Sequence, residues 1–251
     1  MSHTAEVTMV LLAAAMLAAA FGYASVGHGG ASAYLAVMAL AEIAPQEMRP
    51  IALTLNIVVS AIATYKFQRA GHFRWRLFWP FAAVSIPLAY AGGAITLPGH
   101  AYRALVGAVL VYAAWQLWRS ARAGEEMRAV REPPLPWAMA IGAVMGLLSG
   151  LTGVGGGIFL SPLLLMLGWA GTKQTSAVAA PFILVNSVAG LAAGLVAGTA
   201  AVPQHIGILV GAVLIGGWLG AEYGSRRFAN PLIRRLLAVV LVFAGGKMVL
   251  V

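Results

Sequence analysis

Two glycine strings, Gly27-His28-Gly29-Gly30 and Gly153-Val154-Gly155-Gly156-Gly157, and two asparagines, Asn56 and Asn186, stand out in an otherwise apolar chain. Clustered glycines disfavour continuous helix. A helix that restarts after such a break presents free backbone N–H groups at its new N-terminus, where the dipole favours an anion. An amide surrounded by hydrocarbon must find a partner, which marks both asparagines as candidates for a site. A shift of 126 positions carries Gly27, Gly29 and Gly30 onto Gly153, Gly155 and Gly156, and a shift of 130 carries Asn56 onto Asn186. Beside the breaks lie Ser25, His28 and Thr152, and on later segments Thr175 and Ser176. Serine and threonine in such segments ordinarily bond back to their own helix. His28 has two readings: a proton relay, or a hydrogen-bond donor inside a packed loop.

The substrate-binding candidates are therefore Ser25, Gly27, His28, Gly29, Gly30, Asn56, Thr152, Gly153, Gly155, Gly156, Gly157, Thr175, Ser176 and Asn186. The chain has no aspartate, and its seven glutamates all fall at or near predicted segment ends or in a polar connector. Cation carriers and many proton pumps keep carboxylates within the membrane. Their absence from the segment interiors disfavours a cation site, although backbone carbonyls could hold Na⁺, and together with the helix N-termini at the breaks it favours a small anion. No cysteine is present, so disulfides and thiolate metal sites are excluded. His3, His28, His72, His100 and His205 show no metal-ligand spacing. No acid is available for a Ser-His-Asp relay, so neither an enzyme nor a metal or other cofactor is expected.

The elements that must position these residues follow from composition. Of 251 residues, 61% are hydrophobic and 9% charged, with a mean hydropathy of +0.88. Soluble domains carry about 25% charged residues, and a bilayer span needs about 20 mostly apolar ones. The expected class is an all-α polytopic membrane protein in a lipid bilayer. The net charge of +9 resides largely at segment ends, where it anchors the chain and does not call for nucleic acid. Met1–Glu6 lacks a basic n-region and a cleavage site, so no removable signal peptide is expected.

Ten apolar segments are predicted, at 6–24, 30–43, 50–66, 76–97, 101–118, 137–151, 156–170, 176–198, 203–222 and 231–250. The charged, proline-ended connector 119–136 divides a first membrane repeat, 1–118, from a second, 137–251. Numbering the loops alternately puts 13 of the 16 Lys and Arg on one side, and Arg49, Arg103 and Lys247 on the other. Positive charge favours the cytoplasm, so the connector is expected inside and both termini outside. Five segments per half is an odd number, so the second half enters inverted. Each half then contains a glycine-broken or re-entrant helix pair, and paired breaks in an inverted repeat point to a substrate site between the halves. Scattered glycines such as Gly92, Gly93, Gly107, Gly142 and Gly146 read instead as close helix packing. Lys66, Lys173 and Gln174 read as interfacial residues.

Several of these features occur together in one known pattern. Each half opens with a helix running into a G-x-G-G string, and the second continues through Ser161-Pro162-Leu163, Thr175-Ser176-Ala177 and Asn186-Ser187-x-x-Gly190. This resembles the sulfite exporter TauE/SafE family of bacterial permeases over nearly the whole chain. In the first half His28 and Ala31 depart from the pattern, standing where a small or apolar residue and a third glycine are expected. The resemblance implies transport of a small sulfur-containing anion, such as sulfite, thiosulfate or an organosulfonate, across the inner membrane. A passive anion channel and a non-transporting scaffold subunit are the alternatives, and a homo-oligomer is compatible with each.

Overall fold

The computed structural model describes residues 3–120, 131–203, 206–226 and 231–250. They form ten α-helices and, among the described residues, no strand: α1 His3–Ala24, α2 Ala31–Leu40, α3 Pro45–Arg69, α4 Trp75–Ala94, α5 Gly99–Ser120, α6 Leu135–Thr152, α7 Gly157–Met166, α8 Thr172–Val196, α9 Ile206–Arg226 and α10 Pro231–Leu250. Each predicted segment corresponds to one helix. Most of the connector, residues 121–130, lies outside the described residues. By length and composition, α3, α4, α6, α8 and α9 are each apolar enough to cross a membrane.

The boundaries differ from the prediction where local chemistry overrides hydropathy. α3 begins at Pro45, five residues before the predicted start. Proline suits a first turn because its missing N–H has no intrahelical acceptor there. Lys66 and Arg69 then extend its last turn, where cations face the carbonyl end of the dipole. α2 and α7 are shorter than predicted, with 10 residues each. At 1.5 Å per residue each is about 15 Å long, half of a ~30 Å hydrocarbon core.

Glycine faces decide which helices lie side by side. A Cβ on Gly142, Gly146 or Gly150 of α6 would land on the carbonyl oxygen of Phe81, Ser85 or Ala89 of α4. On α9, Gly216, Gly220 and Gly224 press in the same way on the carbonyls of Leu17 and Phe21 in the last two turns of α1 and of Ser25 just beyond it. Residues four apart share a helix face, and bare faces let two backbones meet. The rising numbers on both sides make α4/α6 and α1/α9 parallel pairs. We expect Gly146→Val, which drives a branched side chain into the Ser85 backbone, to lose the folded protein. Size exclusion in detergent would show aggregate where the wild type gives a single peak.

α3 and α8 run antiparallel through the centre: Arg49 meets Thr199 just beyond α8, Leu53 faces Gly190, and Asn56 faces Ser187. α5 and α10 pair through Gly107 and Gly245. Exchanging α1–α5 for α6–α10 maps α4·α6 onto α1·α9 and α4·α8 onto α3·α9, and leaves α3·α8 and α5·α10 in place. The helix ends thus sort into two levels. Lys66 and Glu222 meet at the connector end, while Arg49, Ile95 and Thr199 meet at the other.

Candidate functional site

Each half-helix starts at a glycine in the left-handed region, Gly30 at φ 98° and Gly156 at φ 80°. Only glycine takes that conformation without strain. The space is closed as well: a Cβ would lie 2.7 Å from the Tyr34 ring at Gly30 and 2.9 Å from the Phe182 ring at Gly156. The two helix N-termini meet. Ile183 of α8 lies against Gly29 of the first string and against Gly155 and Gly157 of the second. Both ends of broken helix therefore direct positive dipole toward one buried region midway along α3 and α8.

Asn56 joins the two strings. Its Oδ1 accepts the Ala31 N–H at 3.1 Å, capping α2, and its Nδ2 donates to the Val154 carbonyl at 3.2 Å. The second N–H reaches Ser187 Oγ at 3.5 Å. An amide is required because one group must accept from the first string and donate to the second.

Asn186 is arranged differently, although the repeat pairs it with Asn56. It is fully buried, and its Nδ2 donates to the Phe182 carbonyl of its own helix at 2.8 Å. Its Oδ1 has no hydrogen-bond partner among the described residues. Rotating the amide would set oxygen against oxygen, so the orientation is fixed by Phe182. Nor does any side chain cap α7, whose Gly157 and Ile158 N–H groups find no acceptor among the described residues. Asn56 closes only the first donor of α2, whose Ser32 and Ala33 N–H groups, like those of Gly157 and Ile158, have no acceptor among the described residues.

The remaining candidates surround these breaks. Ser25 donates back to Gly22 at 2.7 Å. Gly27 packs on Ser176, whose Oγ donates to the Val26 carbonyl at 2.8 Å. His28 Nδ1 donates to the same carbonyl at 3.0 Å, and its ring meets Tyr23 edge-on at 6.4 Å. Thr152 Oγ1 donates back to Leu148 at 2.6 Å and accepts the Val154 N–H at 3.3 Å. Gly153 caps α6 by donating to the Ser149 carbonyl at 2.8 Å. Buried Thr175 has an Oγ1 with no partner among the described residues. Of the set, Gly29, Gly30, Asn56, Gly155, Gly156 and Gly157 come together at the convergence. Gly27, Thr175 and Ser176 lie nearer the connector end of α8.

Lys66, read from sequence as interfacial, instead pairs with Glu222 of α9 and lies 3.9 Å from the centroid of the Trp218 ring. Burial of its stem between α3 and α9 makes a specific partner preferable to solvent. Sequence reasoning also missed Ile183 and Phe182, which fill the space a side chain on the strings would need, and Arg49. The signal for Arg49 was its place among the three basic residues on the side poor in positive charge.

Free N–H groups and two positive helix ends around a buried region suit an anion with oxygen acceptors. Comparison with known proteins gives the family of the chain. The model of the family "Sulfite exporter TauE/SafE" matches residues 11–248. A Sinorhizobium fredii protein named "Probable membrane transporter protein y4hK" is 40% identical over 239 residues, covering 94% of this chain and 96% of that one. "Probable membrane transporter protein YunE" of Bacillus subtilis is 27% identical over 115 residues, 44% of this chain and 40% of that one. No solved structure matches. The chain belongs to the TauE/SafE family of membrane transporters.

Proposed function

We propose that this transporter moves a small sulfur-containing anion (sulfite, thiosulfate or an organosulfonate) by alternating access of two inverted five-helix halves. The observation that carries this reading is the convergence of the α2 and α7 N-termini on Asn56 and Ile183, with the α7 N–H groups uncapped. Unwound backbone at depth is tolerated where it lines a cavity or is buried in protein, and transporters with repeats place their sites there. The exchange symmetry of the helix pairings supports inversion. The resident membrane is the inner membrane, with the connector in the cytoplasm and both termini outside, as the excess of basic residues at the connector end requires.

Counterflow in proteoliposomes tests the mode of transport. Labelled sulfite should exchange against internal sulfite, thiosulfate or sulfoacetate, and an alkali or metal cation should not serve as principal substrate. Conductance without exchange would replace the carrier by a channel, and neither would leave a scaffold. Cysteine labelling in intact cells tests orientation. A cysteine at Ser2 should react with an impermeant reagent and one at Gly124 should not; the reverse pattern would invert the assignment.

A further inference from the structure

Arg49 is a buried cation without a counter-charge among the described residues. It is 7% exposed, in the second turn of α3, within a helix long and apolar enough to cross a membrane. Its Nη1 donates to the Ile95 carbonyl at 2.8 Å and its Nη2 to Thr199 Oγ1 at 3.3 Å. Both acceptors are neutral. No carboxylate pairs with it among the described residues, although Lys66 and Lys247 each have one. Guanidinium carries five N–H donors in a fixed plane, so three of Arg49's are without an acceptor among the described residues. An uncompensated charge in such a place is expensive to keep.

Its position relates it to the convergence of the half-helices. Arg49 and Asn56 are seven residues apart, on one face of α3, separated by two turns or about 10 Å. Between them runs the second glycine string. A Cβ on Gly153 would lie 3.2 Å from Arg49 Cγ, and one on Gly155 would lie 2.7 Å from Asn56 Nδ2. The string thus descends from the backbone and aliphatic stem of Arg49 to the uncapped end of α7. Tyr102 borders the same stretch, its hydroxyl donating to the Thr152 carbonyl at 3.2 Å.

We propose that Arg49 is an anion-binding residue of this transporter, the first point at which an oxyanion is held on its way along the second glycine string to α7. This rests on the reading of the chain as an anion permease. The planar fork suits two oxygens of one sulfonate or sulfite group, and charge-assisted bonds of that kind are the strong ones. The free donors allow an anion to bind while the bonds to Ile95 and Thr199 persist. A second charge on the ligand strengthens the interaction, so Arg49 favours dianions.

The test measures binding of sulfoacetate and methanesulfonate to purified protein in detergent by isothermal titration calorimetry. The two share a sulfonate, and the first carries an extra carboxylate. In Arg49→Gln the dissociation constant for sulfoacetate should rise about tenfold or more, and the rise for methanesulfonate should be smaller. Arg49→Lys, which keeps charge but loses the fork, should fall between Arg49→Gln and wild type. Lys247→Gln removes an exposed charge at the same end and should leave both affinities unchanged. A purely structural tie to Ile95 and Thr199 would lower thermal stability in Arg49→Gln and shift both ligands equally or neither, which would overturn the proposal. Unchanged binding in Arg49→Gln with loss in Gly156→Leu would remove Arg49 and keep the α7 site. Loss in Arg49→Gln with unchanged binding in Gly156→Leu would keep Arg49 and remove the α7 site. Wild-type protein that binds neither ligand would overturn both.

Discussion

Gly156→Leu should abolish anion counterflow in protein that still inserts and purifies, a loss of about 100-fold or more, the equivalent of about 2.7 kcal/mol or more of binding. Two physical effects act together. Gly156 sits at φ 80°, where an L side chain costs about 1–2 kcal/mol. Its Cβ would also lie 2.9 Å from the Phe182 ring, beside the first N–H groups of α7. A leucine there covers those donors, and among the described residues they have no acceptor to replace the ligand. Gly156→Ala carries the same backbone strain with less bulk and should weaken transport less. Gly107→Leu is the control. Its Cβ would fall 2.6 Å from a methyl of Val249 on α10, away from both strings. That change should lower thermal stability and leave the substrate affinity of the surviving protein unaltered. Wild-type affinity in correctly inserted Gly156→Leu would remove the α7 N-terminus from the site.

Asn56→Asp should be more harmful to anion binding than Asn56→Ala, although aspartate is the closer copy in shape. Alanine strands the Ala31 N–H and the Val154 carbonyl, both buried, at a cost of about 2 kcal/mol in stability. Aspartate keeps the acceptor for Ala31 but sets a carboxylate against the Val154 carbonyl. It also adds a negative charge where the chain has none, between two helix ends that attract anions. We expect Asn56→Ala to lower the melting temperature and weaken binding several-fold, and Asn56→Asp to eliminate measurable binding. Thermal shift with and without sulfite would read both effects. Binding as strong in Asn56→Asp as in Asn56→Ala would show that the region does not hold an anion.

His28 shows where the sequence stopped short. Its spacing permitted a proton relay or a packed donor, and the structure shows Nδ1 donating to the Val26 carbonyl two residues away. That contact is set by the path of the backbone after Gly27, which no side-chain pattern records. Asn56 and Asn186 are equivalent by spacing and differ in bonding. The first joins both strings, and the second bonds back to Phe182 with its oxygen unpartnered. The distinction depends on which carbonyl each amide can reach across an interface between distant segments.

The sequence by itself determined the membrane class, the helix count, the two breaks and the division of basic residues between loops. Each of these follows from local composition: hydropathy over a span, glycine density, and charge at segment ends. Tertiary structure alone decided that α2 and α7 are half-helices whose N-termini converge, because helix ends depend on where Pro45, Gly30 and Gly156 let the chain turn. It also decided that Gly142, Gly146 and Gly150 lock α6 to α4, that Lys66 pairs with Glu222, and that Arg49 stands buried beside Gly153 without a carboxylate among the described residues. Those contacts join residues from about 60 to 156 positions apart. In a chain of uniformly apolar helices, hydrophobicity gives every face the same preference, so neighbours are chosen by the fit of bare glycine faces and by the few polar groups that must find partners.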